Sequence, residues 1–158
     1  MISTLQPQSK YVHPLARFVS KEAIALILKV PVEKIKEIRL WARVILVVGQ
    51  GLSRFVSYAD LPPVVGAKEP TSQDFAYWRK RWHKLKINQA PDYWATFYAS
   101  KFGQCMDIAE LFSWGQLLGI IKPALSERVV LALRIIYVAQ KSDLETQLIQ
   151  CASKPQLP

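Results

Sequence analysis

Residues 18–61 read FVSKEAIALILKVPVEKIKEIRLWARVILVVGQGLSRFVSYADL, and this stretch decides the fold. It opens with a helical pattern of apolar residues, and Ser20 before it has the hydroxyl of a good N-cap. A second helical pattern follows Pro31, a residue that the first turn of a helix tolerates. The inward stripe of that second helix is Val32, Ile35, Ile38 and Ala42. The sequence therefore predicts two helices joined by a tight turn.

A hairpin pattern comes next. Residues 43–48 and 54–58 look like two strands, and Gly49 and Gly51 between them permit the backbone angles of a tight turn. Ser57 then caps a short helix that ends at Leu61. This order of elements is typical of a winged helix-turn-helix. In that fold the second helix enters the major groove of DNA and a wing lies beside it.

The polar residues on the outward face of the second helix are the candidate contacts to bases. Lysine donates to guanine acceptors and a carboxylate accepts from cytosine. The candidates are Glu33, Lys34, Lys36, Glu37 and Arg39. The alternative is that these charges pair with one another on the surface, where each pair contributes roughly a few tenths of a kcal/mol.

Other polar residues of this stretch are candidate contacts to the DNA backbone. Lys21, at the start of the first helix, can meet a phosphate. A basic ribbon can lie along the sugar–phosphate chain or in the minor groove, and its candidate contacts are Arg43, Gln50, Ser53 and Arg54. The alternative is a hairpin that only completes the core, a role that suits Val44 and Phe55.

The positive charge of the chain lies in the part that carries this motif. The net charge is +9; residues 1–90 hold 15 Lys and Arg against 6 Asp and Glu, and residues 91–158 hold 6 of each kind. A basic surface releases counterions when it contacts a polyanion, so we expect double-stranded DNA as the partner. The alternative is that the charge serves solubility.

The stretch resembles the winged helix-turn-helix of MerR-type and excisionase-like regulators. The matching residues are Ser20-Lys21-Glu22-Ala23, Ile27-Leu28, Val30-Pro31, Ile35, Ile38, Gly49–Gly51, Arg54-Phe55 and Asp60-Leu61. The resemblance implies homodimeric DNA binding, control of transcription, and a region behind the reading head for dimerisation or an effector. The chain departs from the family pattern at Lys29, where glycine is usual, at Ser53, where a second basic residue is usual, and at Pro62-Pro63, which shorten the helix after the wing.

The size of the chain and its compact helical tail are also similar to those of a narrower group, the small repressors of cyanobacterial type V-K CRISPR-associated transposons. The chain lacks the cysteines of the metal-sensing MerR-type branch, so we expect no metal. These resemblances imply a bacterial protein.

Residues 62–72, PPVVGAKEPTS, predict a linker, because proline and glycine interrupt regular structure there. It separates a DNA-binding domain of residues 1–66 from a helical domain of residues 73–158. The predicted fold is mainly α with a small β-hairpin wing, followed by an all-helical C-terminal region. The helix predicted over residues 127–141 is apolar on most of its circumference, which is typical of a central core helix or an oligomer interface.

The helical domain leaves two questions open. Its aromatic residues are either the lining of an effector pocket or plain core and dimer interface, and they are Trp78, Trp82, Tyr93, Trp94, Phe97 and Tyr98. The basic run over residues 78–86, WRKRWHKLK, either reaches flanking phosphates or is the solvated face of an amphipathic helix.

Other classes of function have little support in the sequence. No nucleophile elbow, phosphate-binding glycine loop or metal-ligand spacing is present, so we expect no enzyme, cofactor or metal. No apolar run approaches the roughly 20 residues that span a bilayer, and residues 1–10 are polar and lack the apolar stretch that we would expect of a signal peptide. Cys105 and Cys151, without a CxxC, suit a reducing compartment, and we expect a cytoplasmic, nucleoid-associated protein.

The sequence therefore predicts a sequence-specific DNA-binding transcriptional regulator, a homodimeric repressor of a palindromic operator. A small-molecule effector stays open. The alternative is an excisionase-like architectural factor that bends DNA for a recombinase or transposase.

Overall fold

The structure is a computed structural model that describes residues 5–7 and 12–153. Its strands are β1 (Leu5–Pro7), β2 (Ile35–Leu40), β3 (Ile45–Gly49) and β4 (Leu52–Val56). Its helices are α1 (Lys21–Leu28), α2 (Ser72–Lys84), α3 (Asp92–Gln104), α4 (Ile108–Ile121) and α5 (Glu127–Ser153). Short 3-10 helices cover Pro14–Phe18, Val32–Lys34, Tyr58–Asp60 and Lys122–Ala124. The prediction of a mainly helical protein with a small β component is confirmed.

The first predicted helix is confirmed as α1. The Ser20 hydroxyl accepts a hydrogen bond from the Ala23 amide at 3.2 Å, which satisfies one of the free amides at the helix start. The helix ends at Lys29, whose φ of 57° is left-handed. A lysine thus occupies the kind of position that usually favours glycine at a helix end.

The predicted second helix is wrong. Residues 32–34 form a single 3-10 turn, and residues 35–40 form strand β2, which pairs antiparallel with β3. A bulge between Ile35 and Glu37 inserts an extra residue, so the buried side chains of Ile35 and Ile38 stand three positions apart. Three is also a helical spacing, and the bulged strand therefore imitates a helix in the sequence. The winged helix-turn-helix prediction is not confirmed, because this recognition helix is absent.

The predicted ribbon is confirmed as the hairpin of β3 and β4. The sheet order is β1-β2-β3-β4, with β1 parallel to β2 and the other pairs antiparallel. Gly51 in the turn has a φ of 68°, which favours glycine. Gly49 is needed for another reason: a Cβ there would lie 1.8 Å from the Lys34 carbonyl oxygen. The short capped helix after the hairpin is the 3-10 turn Tyr58–Asp60, capped by Ser57 as predicted.

The second half of the chain is helical throughout. Helix α2 begins with a complete capping box between Thr71 and Asp74, and α3 packs against α4 and α5. Helix α5 is a single helix of 27 residues, whereas the sequence predicts a helix to residue 141 and a separate short one. No helix in the described part of the chain has both the length and the apolarity needed to cross a membrane.

One hydrophobic core joins the residues on both sides of the predicted linker. Pro62 and Pro63 are themselves buried, and the Tyr98 hydroxyl donates a 2.7 Å hydrogen bond to the Pro63 carbonyl. Arg17 donates to the carbonyls of Lys68 and Glu69 and forms an ion pair with buried Asp74. The described residues on the two sides of the predicted linker therefore share one buried cluster, and the division into domains of residues 1–66 and 73–158 stays a prediction.

Asp60 connects the sheet region to two helices. Its carboxylate accepts two hydrogen bonds from the Arg81 guanidinium of α2, at 2.9 and 3.1 Å. Its backbone carbonyl accepts from the Tyr93 hydroxyl at 2.5 Å and from the Trp94 indole at 3.2 Å, both on α3. Burial, together with the charge of Asp60, raises the pKa of Tyr93, so that its hydroxyl remains a donor at neutral pH.

We predict that Asp60→Asn lowers the free energy of unfolding by about 1–3 kcal/mol, because Arg81 then loses half of a charged, bidentate contact. Urea unfolding followed by circular dichroism measures this. The control is Glu22→Gln, which removes a 2.6 Å ion pair with Lys101 in which the Glu22 side chain is 53% exposed. That loss is expected to stay below about 1 kcal/mol. Equal losses in the two variants would contradict the special role of Asp60.

Candidate nucleic-acid interface

An open groove of about 700 Å³ lies between the β2–β3 loop and helix α2. The loop contributes Ala42 and Arg43, and the turn after β4 contributes Ser57, Tyr58 and Ala59. His13, Tyr77, Lys80, Arg81 and Lys84 complete the lining. None of these ten lining residues is acidic. The groove therefore presents a concentrated positive charge to any ligand.

Helix α2 supplies one cationic wall of the groove. Tyr77, Lys80, Arg81 and Lys84 recur at three- and four-residue spacings, so they share one face of the helix. Trp78 and Trp82 lie on another face and are buried. Because the two tryptophans anchor α2 in the core, the lysines are directed towards solvent.

Three of the four cations in the groove are available to an anion. Arg81 is neutralised by Asp60. The exposed side chains of Arg43, Lys80 and Lys84 make no ion pair with any carboxylate in the described part of the chain. Unpaired cations that meet from two separate elements form a site for an anionic group.

The floor of the groove is aromatic. The rings of His13 and Tyr58 stack at 4.5 Å with an interplanar angle of 9°, and Tyr77 lies 5.0 Å from His13. The Tyr58 hydroxyl donates a 2.5 Å hydrogen bond to the Trp41 carbonyl. Burial raises the pKa of Tyr58, so that this hydroxyl stays protonated. These contacts hold the loop that carries Arg43 against the turn after β4.

A second surface is formed by the outer face of the sheet. Strand pairing places Arg39, Leu46 and Phe55 side by side on it. Phe55 is 57% exposed, and its ring lies 5.3 Å from that of Trp41. Arg39 and Glu37 form a two-hydrogen-bond ion pair, and these bonds lower the pKa of the Glu37 carboxyl.

The predicted base-contacting residues do not lie together on a helix. Glu33 and Lys34 are exposed on the 3-10 turn, and Lys36 is exposed on β2. Glu37 and Arg39 are engaged with each other. The alternative interpretation of the sequence was that the charged residues of this segment pair with one another on the surface, and Glu37 and Arg39 do so.

The predicted backbone-contacting residues lie at different places around the sheet. Gln50 is exposed in the β3–β4 turn, and Ser53 and Arg54 are exposed on β4. Arg43 lies at the other end of β3, seven residues from Gln50, which corresponds to roughly 20 Å of extended strand. Lys21 is partly buried in the first turn of α1. The cationic groove therefore includes Arg43 but not the hairpin tip.

The aromatic residues proposed for an effector pocket or dimer interface lie mainly inside the chain. Five are buried: Trp78, Trp82, Trp94, Phe97 and Tyr98. The three tryptophans pack against one another with ring centroids 5.4–6.4 Å apart. Tyr93 is partly buried and bonded to Asp60. None of the six lines the cationic groove.

Sequence reasoning missed part of the groove. The sequence indicates the basic run that contains Lys80 and Lys84 and leaves its role open, but it does not point to His13, Tyr58 or Tyr77. The available signal was the helical spacing of Tyr77, Lys80 and Lys84. Nothing in the sequence indicated that this face would lie opposite Arg43.

Comparison with known proteins gives no family assignment. The chain matches no protein-family model, no curated protein and no solved structure.

We predict that acid destabilises the protein through His13. Burial lowers the pKa of His13 below 6.5, although the charge of Asp74 opposes this, and Nδ1 accepts a 3.0 Å hydrogen bond from the Leu15 amide. The folded state therefore binds this proton less tightly than the unfolded chain. The free energy of unfolding should fall as the pH drops from about 7 to about 5.

The test compares urea unfolding of the wild type and His13→Asn across this pH range. Asparagine does not titrate there and keeps an oxygen that can accept the Leu15 amide. The variant is expected to show a flatter pH dependence. His83, which is exposed, is present in both proteins. An unchanged pH dependence would contradict the prediction.

Proposed function

We propose that the protein is a double-stranded DNA-binding regulator of transcription whose cationic groove contacts backbone phosphates. The observation that supports this most is the convergence of Arg43, Lys80 and Lys84 on one groove without carboxylate partners among the described residues. Binding of such cations to phosphates releases counterions from the DNA, which makes the interaction favourable and salt-dependent.

The β3–β4 hairpin is the element that we propose for contacts to bases. The major groove admits a two-stranded ribbon as well as a helix. Gln50 at the exposed tip has the amide that pairs with adenine, and Arg54 has the guanidinium that pairs with guanine. Ser53 is exposed beside Arg54. We therefore propose that the hairpin, and not the predicted second helix, contacts the bases.

Repression follows from this mode of binding by simple exclusion. A protein held on promoter DNA by phosphate contacts and hairpin contacts occupies the surface that a polymerase needs. We propose binding and positioning as the roles of the described side chains, without a catalytic step.

The first test measures affinity for a DNA duplex as a function of salt. The double variant Lys80→Ala/Lys84→Ala is expected to bind more weakly, and its slope of log K against log salt should be shallower by about 2, since about 0.9 is lost per phosphate contact. Arg43→Ala should lower the slope by about 1. Fluorescence anisotropy with a labelled duplex measures both.

Lys122→Ala is the matched control. Lys122 is an exposed lysine that lines a different groove, between α4 and α5, and its loss should leave the slope unchanged. Equal effects of all these substitutions would show that only net charge matters. If the protein binds single strands more strongly than a duplex, the proposal of duplex recognition is wrong and single-strand binding is the better description.

The second test concerns sequence preference. Selection from a random duplex library should recover one preferred site for the wild type. Gln50→Ala or Arg54→Ala should lower the free energy of discrimination between bases at individual positions by about 1–3 kcal/mol each. Lys80→Ala should weaken binding to all sequences alike. An unchanged preference in both hairpin variants would remove the hairpin from base recognition.

An architectural factor that bends DNA is the second candidate. The specific observation that favours it is Phe55, an apolar side chain that is 57% exposed on the outer face of the sheet. Apolar wedges inserted between base steps kink DNA. Energy transfer between labelled duplex ends measures bending of the DNA. This role would be favoured over simple occlusion if Phe55→Ala abolishes the bending and keeps the affinity for a pre-bent duplex.

A further inference from the structure

Helix α5 has apolar side chains on two opposite faces. One face carries Leu133 and Leu144, which are buried against the rest of the chain. The other carries Leu131, Ile135 and Val138, which are 58%, 71% and 57% exposed. A surface helix of a monomer has one apolar face, and a second one is typical of an interface.

The exposed face follows the spacing of a helix-pairing seam. Leu131, Ile135 and Val138 are separated by steps of four and three. The same steps continue to Ser142, Glu145 and Ile149 and extend backwards to Arg128, all on the exposed surface. A stripe with this alternation stays in contact with a partner helix along its length.

We propose that two copies of this chain pair through the exposed face of α5, with the two helices antiparallel. Charge decides the orientation. A parallel pair would place Arg128 against Arg128 and Glu145 against Glu145 of the other copy. An antiparallel pair related by a two-fold axis places Arg128 of each copy against Glu145 of the other, which gives two opposite-charge contacts.

The same charges select the register. With Arg128 against Glu145 of the second copy, Ile135 faces Val138 at the centre of the seam and Leu131 faces Ser142. A shift of seven residues in one direction would instead place the Glu145 carboxylate against Ile135, and the same shift in the other direction would place the Arg128 guanidinium against Val138. Burial of a charged group against an apolar side chain is unfavourable, so the first register is preferred.

The residues that flank the seam are compatible with close pairing. Ala132 and Ala139 lie on one side, and their small side chains permit close approach of the helices. Arg134 and Lys141 lie on the other side and face one another across the interface. Both are exposed, so their repulsion costs roughly a few tenths of a kcal/mol.

This pairing goes beyond the proposed function, because it rests on α5 alone and requires no DNA. It would give the assembly two copies of the cationic groove. Two linked binding sites raise the avidity for a target that presents both half-sites.

The experiment is light scattering coupled to size-exclusion chromatography of the full chain, without DNA. The wild type is expected at twice the chain mass of 18.0 kDa. Arg128→Glu and Glu145→Arg should each shift the protein towards the monomer, and the double variant Arg128→Glu/Glu145→Arg should restore the dimer. Asp143→Arg, a reversal of the same charge two positions from Glu145 and outside the seam, should leave the mass unchanged.

Ile135→Asp is a second, independent variant. Because Ile135 is 71% exposed in the single chain, the substitution should produce a monomer with unchanged helical content, whose melting temperature does not depend on protein concentration. A wild type that stays monomeric at about 100 μM, or a double variant that fails to regain the mass of the dimer, would overturn the proposal. Since no DNA is present, either outcome leaves the proposed function to its own tests.

Discussion

The convergence of hydrogen bonds on Asp60 is the interaction on which the rest of the structure depends. A single buried residue accepts the Arg81 guanidinium at its carboxylate and the Tyr93 and Trp94 side chains at its carbonyl. It thereby ties the end of the sheet region to both α2 and α3. Loss of the Asp60 carboxylate would leave the partly buried Arg81 guanidinium without these two acceptors, which is unfavourable.

This connection also determines where the positive charge lies. It holds α2 against the turn after β4, so that Lys80 and Lys84 line the same groove as Arg43. It neutralises Arg81, the one cation of the groove that supports the fold. The remaining cations have no such structural partner in the described part of the chain, and their mutual repulsion is relieved by an anion. Stability and the proposed phosphate contacts therefore use different members of one basic helix face.

The helical half has two roles that are physically separate. Its aromatic residues fill the interior, where Trp78, Trp82 and Trp94 pack edge to face or in offset stacks. Its last helix covers this interior with one face and presents a second apolar face outward. An apolar stripe exposed to water is unfavourable, and we propose that a second copy with complementary charges covers it. A pair formed in this way would combine two of the proposed phosphate-binding grooves in one assembly.

The sequence by itself determined the elements whose signals are local. The Ser20 cap specified the start of α1, the glycine turn specified the β3–β4 hairpin, and the Ser57 cap specified the turn Tyr58–Asp60. Only the tertiary structure decided the state of residues 35–40, because a bulged strand spaces its buried residues as a helix does and pairing with β3 resolves the ambiguity. The groove could likewise not be predicted from the sequence, since Arg43 and Lys80 are distant in the chain and come together only through the packing of α2. Local hydrogen bonds join residues that are neighbours in the sequence, so the sequence predicts them. A site whose residues come from several elements depends on the fold that brings those elements together.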